Sequence, residues 1–276
     1  MHRRYCFSIH TFALSVLCAS ISFSAIAETV RIGGTGAALG TMQLIGDAFQ
    51  KAHPEHTIKI LPSLGTSGGL KALQGGALDL AVSARDVNAE EKAAGLSAYR
   101  YGTTAFIFVS QAKTPVQPLT TESIAALYSG KQASWSNGTP VRLVLRPKGD
   151  SDNKQLIKFS PEIEAAVMTA HSKSGMTLAV TDSDSADQVD KLPGAFATST
   201  LALVLSENRN FNILPLDGIK PTTQTLADGT YPHTKDIYAV SDANASAGAK
   251  QFLHFLRLPQ GVEILKKTGH KLNMAP

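Results

Sequence analysis

The sequence predicts an α/β protein, and three observations carry that expectation. Twice between residues 29 and 85 a short apolar run meets a glycine-rich turn and a helical pattern follows. Further on, residues 103–109 form a β-rich run long enough to pass from one packed body to another. Aromatic residues make up only 7% of the chain while glycine and alanine are plentiful, the usual composition of sheets covered closely by helices.

The first β-α unit is residues 30–32, a turn at residues 33–36, and a helix with Met42, Ile45 and Phe49 on one face. The second is residues 58–61, then Gly65-Thr66-Ser67-Gly68-Gly69, then Leu70, Leu73 and Leu78. Turns of this kind aim backbone N–H groups and a helix N-terminus at one point, which suits an anion or another acceptor-rich ligand. Two of them from adjacent units place a site between them. Residues 79–83 read as a third strand, and residues 89–95 as a short helix with Glu90 and Glu91 complementing the dipole of its first turn.

Ahead of these units, residues 1–27 read as a secretory leader. His2-Arg3-Arg4 gives a positive start, residues 12–26 an apolar run, and Ala25-Ile26-Ala27 a small-residue cleavage site before Glu28. The expected location is therefore the periplasm, with cleavage after Ala27. Cys18 follows Leu17, not a small residue, so no lipid anchor is expected there. Cleavage removes both cysteines, Cys6 and Cys18, and leaves a chain that must hold together by its core. Of the 26 Lys and Arg residues, Arg3 and Arg4 leave with the leader, so 24 face 22 acidic residues. That near balance gives no case for nucleic acid or an anionic membrane surface. About 249 residues then remain, enough for one large domain or two lobes.

After the crossing run, Pro115 and Pro118 make residues 111–118 a loop, and a second lobe is expected to begin there. Residues 120–129 read as a helix ended by Gly130, Trp135-Ser136-Asn137-Gly138 as a turn, and residues 141–145 as a buried strand leading to Arg146. A helix is expected from about Asn153 and is broken near Pro161. Residues 177–181 and 195–198 are short strand candidates, and residues 182–190, a polar stretch, read as a loop capping a helix. Residues 212–216 and 236–240 read as strands around a turn-rich segment, residues 217–232, in which the chain returns to the first lobe. Pro259 and Gly261 split the end into two helices, residues 247–256 and 260–268.

Three functions compete for the glycine turns. Gly34-Thr35-Gly36-Ala37-Ala38-Leu39-Gly40 is a loose dinucleotide fingerprint, but the second strand ends Ile60-Leu61-Pro62-Ser63 with no acid for a ribose. Residues 65–69 meet the G-x-S-x-G pattern of a serine hydrolase with Ser67 as nucleophile, and Asp217 or Asp236 followed by His254 or His270 has a workable chain order. Glycine-rich turns meet that pattern often by chance, and His254 sits in what reads as a packed terminal helix. The third reading is capture without chemistry. Thr35, Thr66, Ser67 and Ser83 offer neutral hydroxyls beside backbone N–H groups, with Gly36, Ala37, Ala38 and Gly68 in the same turns. Arg85 and Arg146 each close a strand-like run, where a guanidinium could fork onto oxygens. Either could equally be structural, with Arg85 pairing Asp79 or Asp86. His53 and His56 lack the accompanying ligands of a metal site, and no metal, cofactor or catalytic residue is expected.

Taken in order, these motifs resemble the substrate-binding proteins of phosphate ABC transporters, in the type 2 periplasmic binding protein fold. The carriers are Gly34-Thr35-Gly36, Leu64-Gly65-Thr66-Ser67-Gly68-Gly69 with Lys71, and residues 79–85. They continue with Leu127-Tyr128-Ser129-Gly130-Lys131, Trp135-Ser136-Asn137-Gly138, Arg146, Leu216-Asp217-Gly218 with Pro221-Thr222, Tyr231-Pro232 and Leu258-Pro259-Gln260-Gly261. The resemblance implies a monomer of two α/β lobes, residues 28–107 with 222–276 and residues 108–221, joined by two crossing strands around a ligand cleft. It implies a small oxyanion such as phosphate as ligand and an ABC permease in the inner membrane as partner. It also puts the backbone of residues 35–38 at the ligand, with Thr66 as hydroxyl donor, Arg146 as cation, and Ser83 and Arg85 alongside.

Two departures bear on the ligand. Ala84 stands where phosphate binders often have an acid, and Gly149-Asp150-Ser151-Asp152 replaces the usual Ser-Gly-Thr turn, leaving Ser151 as its hydroxyl. Asp is a good helix cap, yet one carboxylate about 5 Å from an anion costs about 3 kcal/mol at an effective dielectric near 20. A different small solute in the same fold, and a sensor or interaction protein with a vestigial cleft, are therefore carried as alternatives.

Overall fold

The computed structural model describes residues 28–272; the leader and its cleavage site lie outside the described residues. The first half follows the expected alternation. It comprises β1 (Glu28–Gly34), α1 (Leu39–Ala52), β2 (His56–Ile60), α2 (Gly65–Gln74), β3 (Leu80–Ser83), α3 (Ala89–Ala93) and β4 (Leu96–Gln111). β1 takes β2 and β3 as parallel neighbours, so its residues face helices on both sides and are largely buried. α3 is opened by a reciprocal cap between Asn88 and Glu91, which gives the second of the two expected acids a structural role.

The second half contains α4 (Thr121–Ser129), β5 (Arg142–Leu145), α5 (Ser151–Leu156), α6 (Pro161–Ser172), β6 (Thr177–Leu178), α7 (Asp182–Lys191), β7 (Ala195–Thr200), α8 (Leu201–Ser206) and β8 (Phe211–Leu214). It closes with α9 (Thr223–Ala227), β9 (Thr234–Asp242), α10 (Ala247–Phe255), α11 (Pro259–Lys267) and β10 (His270–Lys271). The main path of the sheet runs β2-β1-β3-β9-β4-β7-β5-β6, with β8 and β10 also pairing β4. Pro161 and Pro259 each sit at the first position of a helix and start it, because a missing N–H costs nothing there.

One expectation is overturned. Residues 182–190 form a helix, α7, and not a loop. Thr181 and Asp184 cap it reciprocally, and Ala186 and Val189 give it a buried face under polar neighbours. Two short helices, α8 and α9, also arise where no element is expected; each begins at a threonine that caps it, Thr200 and Thr222.

The interior is divided. Val30, Ile32, Met42, Phe49, Tyr101, Ile237 and Phe252 belong to one buried cluster, with a smaller one around Leu70, Leu73 and Val240. Phe106, Phe108, Trp135, Val144, Val167 and Phe196 belong to another, together with Leu226 and Tyr231. β4 serves both. Its stretch from Leu96 to Ala105 pairs β9, and from Phe106 onward it pairs β7 and β8. At the changeover the Phe106 N–H donates to the His233 carbonyl (2.9 Å) and the Tyr231 hydroxyl donates to the Phe106 carbonyl (2.8 Å). Among the described residues no helix is long and apolar enough to cross a membrane.

Candidate functional site

The two glycine turns touch. Gly34 ends β1 at φ 128°, and a Cβ there would lie 2.1 Å from the Val82 carbonyl. A Cβ on Gly69 would lie 2.5 Å from the Gly34 Cα. Only glycine on both sides lets α2 rest on the end of β1, with the Thr35 N–H donating to the Val82 carbonyl at 2.9 Å.

From this junction the structure builds two adjoining regions. The inner one holds residues 35–38, all buried. The Thr35 hydroxyl donates to Asp182 Oδ2 at 2.9 Å, and the Thr200 hydroxyl donates to the Ala37 carbonyl at 3.0 Å. Arg146, one residue beyond β5, is also buried, and each nitrogen of its guanidinium has a partner in the chain. Nε and Nη2 donate to the Asp150 carboxylate at 3.3 and 3.0 Å, Nη1 donates to the Ala179 carbonyl at 3.1 Å, and Nη2 lies 3.8 Å from Asp182. Lys235 on β9 reaches into the same region and pairs with Asp152, whose second oxygen accepts the Thr198 hydroxyl at 3.3 Å. Asp150 is the N-cap of α5, accepting the Asp152 N–H, so the two acids of this turn do different things. One caps and pairs Arg146; the other is buried against Lys235.

The titrations follow from this crowding. Burial pushes the Asp182 carboxyl up, but Lys235, Arg146, the Thr35 hydroxyl and the Ala37 N–H outweigh it and bring it below the ordinary value. Burial wins at Asp152, which is raised although Lys235 pulls it down. Burial would lower Lys235 and Arg146, and the surrounding carboxylates raise both instead.

The outer region is an open cleft of about 770 Å³. One wall is the start of α2, residues 64–68, with Ala84, Arg85 and Asp86; the other is Pro147, Gly149, Asp150, Ser151, Lys154, Lys158 and Val180. Thr234, Lys235, Asp236 and Tyr238 of β9 lie along it. The Thr66 hydroxyl accepts the Ala84 N–H at 2.9 Å, which leaves its own proton for a ligand. Arg85 forks onto Glu91 with two contacts of 2.7 Å, not onto Asp79, which pairs Arg31, nor onto the Asp86 carboxylate. Ser83 is buried and closes a tight turn, donating to the Arg85 carbonyl at 2.6 Å.

Of the residues expected at the ligand, Thr66, Ser67, Gly68, Arg85 and Ser151 line this cleft together. Thr35, Gly36, Ala37, Ala38, Ser83 and Arg146 do not; they lie buried behind it. Among the described residues no histidine lines the cleft, and His270 is buried in β10 with its pKa lowered to about 4 by that burial. Among the described residues no group of three or more His, Cys, Asp or Glu side chains could hold a metal. Sequence reasoning missed Asp182 and Lys235. The sequence carried a sign of each: the Thr181-x-x-Asp184 spacing marks a helix start, and Lys235 shares strand phase with Ile237 and Ala239.

A family model described as a PBP superfamily domain matches residues 23–257. The chain belongs to the PBP superfamily. Within it, the chain is 24% identical over 241 residues to the phosphate-binding protein PstS of Bacillus subtilis (strain 168), covering 83% of this chain and 75% of that one. A Clostridium perfringens structure described as a phosphate ABC transporter substrate-binding protein with bound phosphate matches with a TM-score of 0.73 at 20% identity, over 90% of this chain and 100% of that one. The periplasmic molybdate-binding protein of Azotobacter vinelandii matches with a TM-score of 0.61 at 18% identity, over 89% and 100%. The fold is that of a type 2 periplasmic binding protein.

Proposed function

We propose that this PBP superfamily member is an exported, non-catalytic solute-binding protein that takes a phosphate-like oxyanion into the outer cleft and delivers it to an ABC permease. The observation that carries the reading is the meeting of Thr66, Ser67 and Gly68 at the start of α2 with Ser151 at the start of α5, across a cleft that also receives Arg85, Lys154 and Lys158. Hydroxyls, helix-start N–H groups and cations are what an oxyanion asks for, and none of them is a nucleophile with a base. The phosphate-binding relatives support the same ligand class.

In this reading the leader directs export to the periplasm, and the two hydrophobic cores are two lobes that close on the ligand. Leu226 and Tyr231 pack with the second core, which supports a return crossing near His233, later in the chain than residue 222. Thr66, Ser67, Gly68, Arg85 and Ser151 are the contacts. Thr35, Gly36, Ala37, Ala38, Ser83 and Arg146 act from behind them.

The test is thermal unfolding of the purified chain, unfolded and refolded to strip carried ligand, against phosphate, arsenate, sulfate, molybdate and small organic solutes. An oxyanion at about a hundred times its dissociation constant should add about 2.7 kcal/mol. A shift with an organic solute and none with any oxyanion would sink the reading.

A further inference from the structure

The inner region has the composition of an anion site whose place is taken. The Thr35 hydroxyl donates to the Asp182 carboxylate at 2.9 Å while its oxygen accepts the Ala37 N–H at 3.4 Å, and the Arg146 guanidinium stands 3.8 Å away. A hydroxyl oriented by a backbone N–H, with a guanidinium close by in a buried place, would serve a bound oxyanion equally well. The fit is close. A Cβ on Gly36 would lie 3.0 Å from the Asp182 Cβ and 2.8 Å from the Ser183 Oγ, so the first turn of α7 sits directly on the turn after β1.

An ordinary structural role does not account for this placement. Acids in a first helical turn are common because they complement the dipole, but Thr181 and Asp184 already cap α7, and they do so in solvent. Asp182 instead turns inward and is buried, at the cost of desolvating a carboxylate. It joins a group in which three carboxylates, Asp150, Asp152 and Asp182, surround two cations, Arg146 and Lys235. With all five charged the group carries one surplus negative charge. A dianion brought to that point would meet repulsion and find its donors already in use.

We propose that Asp182 is a specificity-determining residue: its carboxylate occupies the inner anion pocket formed by Thr35, Ala37 and Arg146, confines the ligand to the outer cleft, and disfavours doubly charged oxyanions. This rests on the cleft being the oxyanion site. The ligand class that follows is a singly charged oxyanion, held by Thr66, Ser67 and Ser151 with Lys154 and Lys158 nearby.

Two substitutions test it, Asp182→Asn, which keeps the shape and removes the charge, and Asp182→Ser, which also makes room. Titration calorimetry with sulfate and phosphate at pH 8 should show affinity rising at least about tenfold in both. Adding Thr35→Val to Asp182→Ser should erase the gain, because the vacated pocket then lacks its hydroxyl donor. Thermal unfolding checks that each variant is folded; if Asp182→Ser does not fold, the near-isosteric Asn variant decides. If wild type binds and folded variants bind no better, the role of Asp182 is overturned while the cleft reading stands. If only the variants bind, Asp182 has the proposed role, since exclusion of these two dianions is what it predicts of the wild type; titration of the wild type with nitrate, a singly charged oxyanion, then decides the cleft reading, which falls if nitrate does not bind. If neither binds the dianions, the role of Asp182 falls.

Discussion

The inner pocket and the outer cleft stand side by side and use the same residue types in opposite ways. Arg146 and Lys235 keep only 3% of their side chains exposed, and each is matched by carboxylates of the chain. Arg85 is 39% exposed and pairs with Glu91 only six residues away, while Lys154 and Lys158 are exposed at the opposite wall. The difference is one of solvation. In the interior an unmatched charge is so costly that the protein supplies its own counter-ion, and the group becomes structural. At the cleft, water screens the charge, a partner is worth little, and a ligand can compete for it.

The sharpest way to break that comparison is to remove one buried partner. Lys235→Met strands Asp152, and unfolding in urea should show a loss of about 3–5 kcal/mol. Adding Asp152→Asn should restore much of it, since the second change removes the charge that the first left unpaired. If the double variant is no more stable than the single one, the inner group is not organised by charge matching.

His270 offers the other solution to burial, which is to stay neutral. Its protonated form gains only the Leu265 and Thr268 backbone, and burial lowers its pKa from 6.5 to about 4. The unfolded chain therefore takes up the proton first. The stability is fully present above pH 6.5 and should fall by about 3 kcal/mol as the pH drops toward 4. His270→Gln should flatten that part of the stability profile. A profile unchanged by the substitution would mean that other groups govern the acid side.

The smallest effect belongs to the cleft. Arg85→Gln removes the fork onto Glu91, and because the pair is partly solvated the loss in stability should stay within about 1 kcal/mol. Ligand affinity, by contrast, should fall. A large stability loss with unchanged affinity would place Arg85 with Arg146 as a structural cation.

Much of the fold could be read from residues 29–85, where period and turn chemistry agree, and from the β-rich run that became the centre of β4. Half of the site could be read there as well, since residues 66–68 lie where the second glycine turn aims them. What could not be read is the environment of a charge. Arg146 ends a strand as expected, but its partners come from residues 150 and 182, and nothing local to Arg146 announces the second. The polar run after Thr181 hid a helix because its buried face is small: Ser185, Ala186 and Val189 are thinly hydrophobic for an amphipathic stripe. Missing that helix meant missing Asp182. Lys235 was hidden for the opposite reason, a polar residue in a phase that otherwise points inward.

β4 has a consequence for anyone who wishes to cut or rearrange this chain. It gives Tyr101 to the first core and Phe106 and Phe108 to the second without a break between them. Neither core can be excised as an independent fragment, because each would lose one of its own strands, and a cut anywhere within residues 96–111 injures both. The tolerant places for new termini or inserted domains are the exposed turns away from the cleft, such as the one that follows Trp135, whose residues 136–138 are exposed. The molecule is modular in its cavities and indivisible in its backbone.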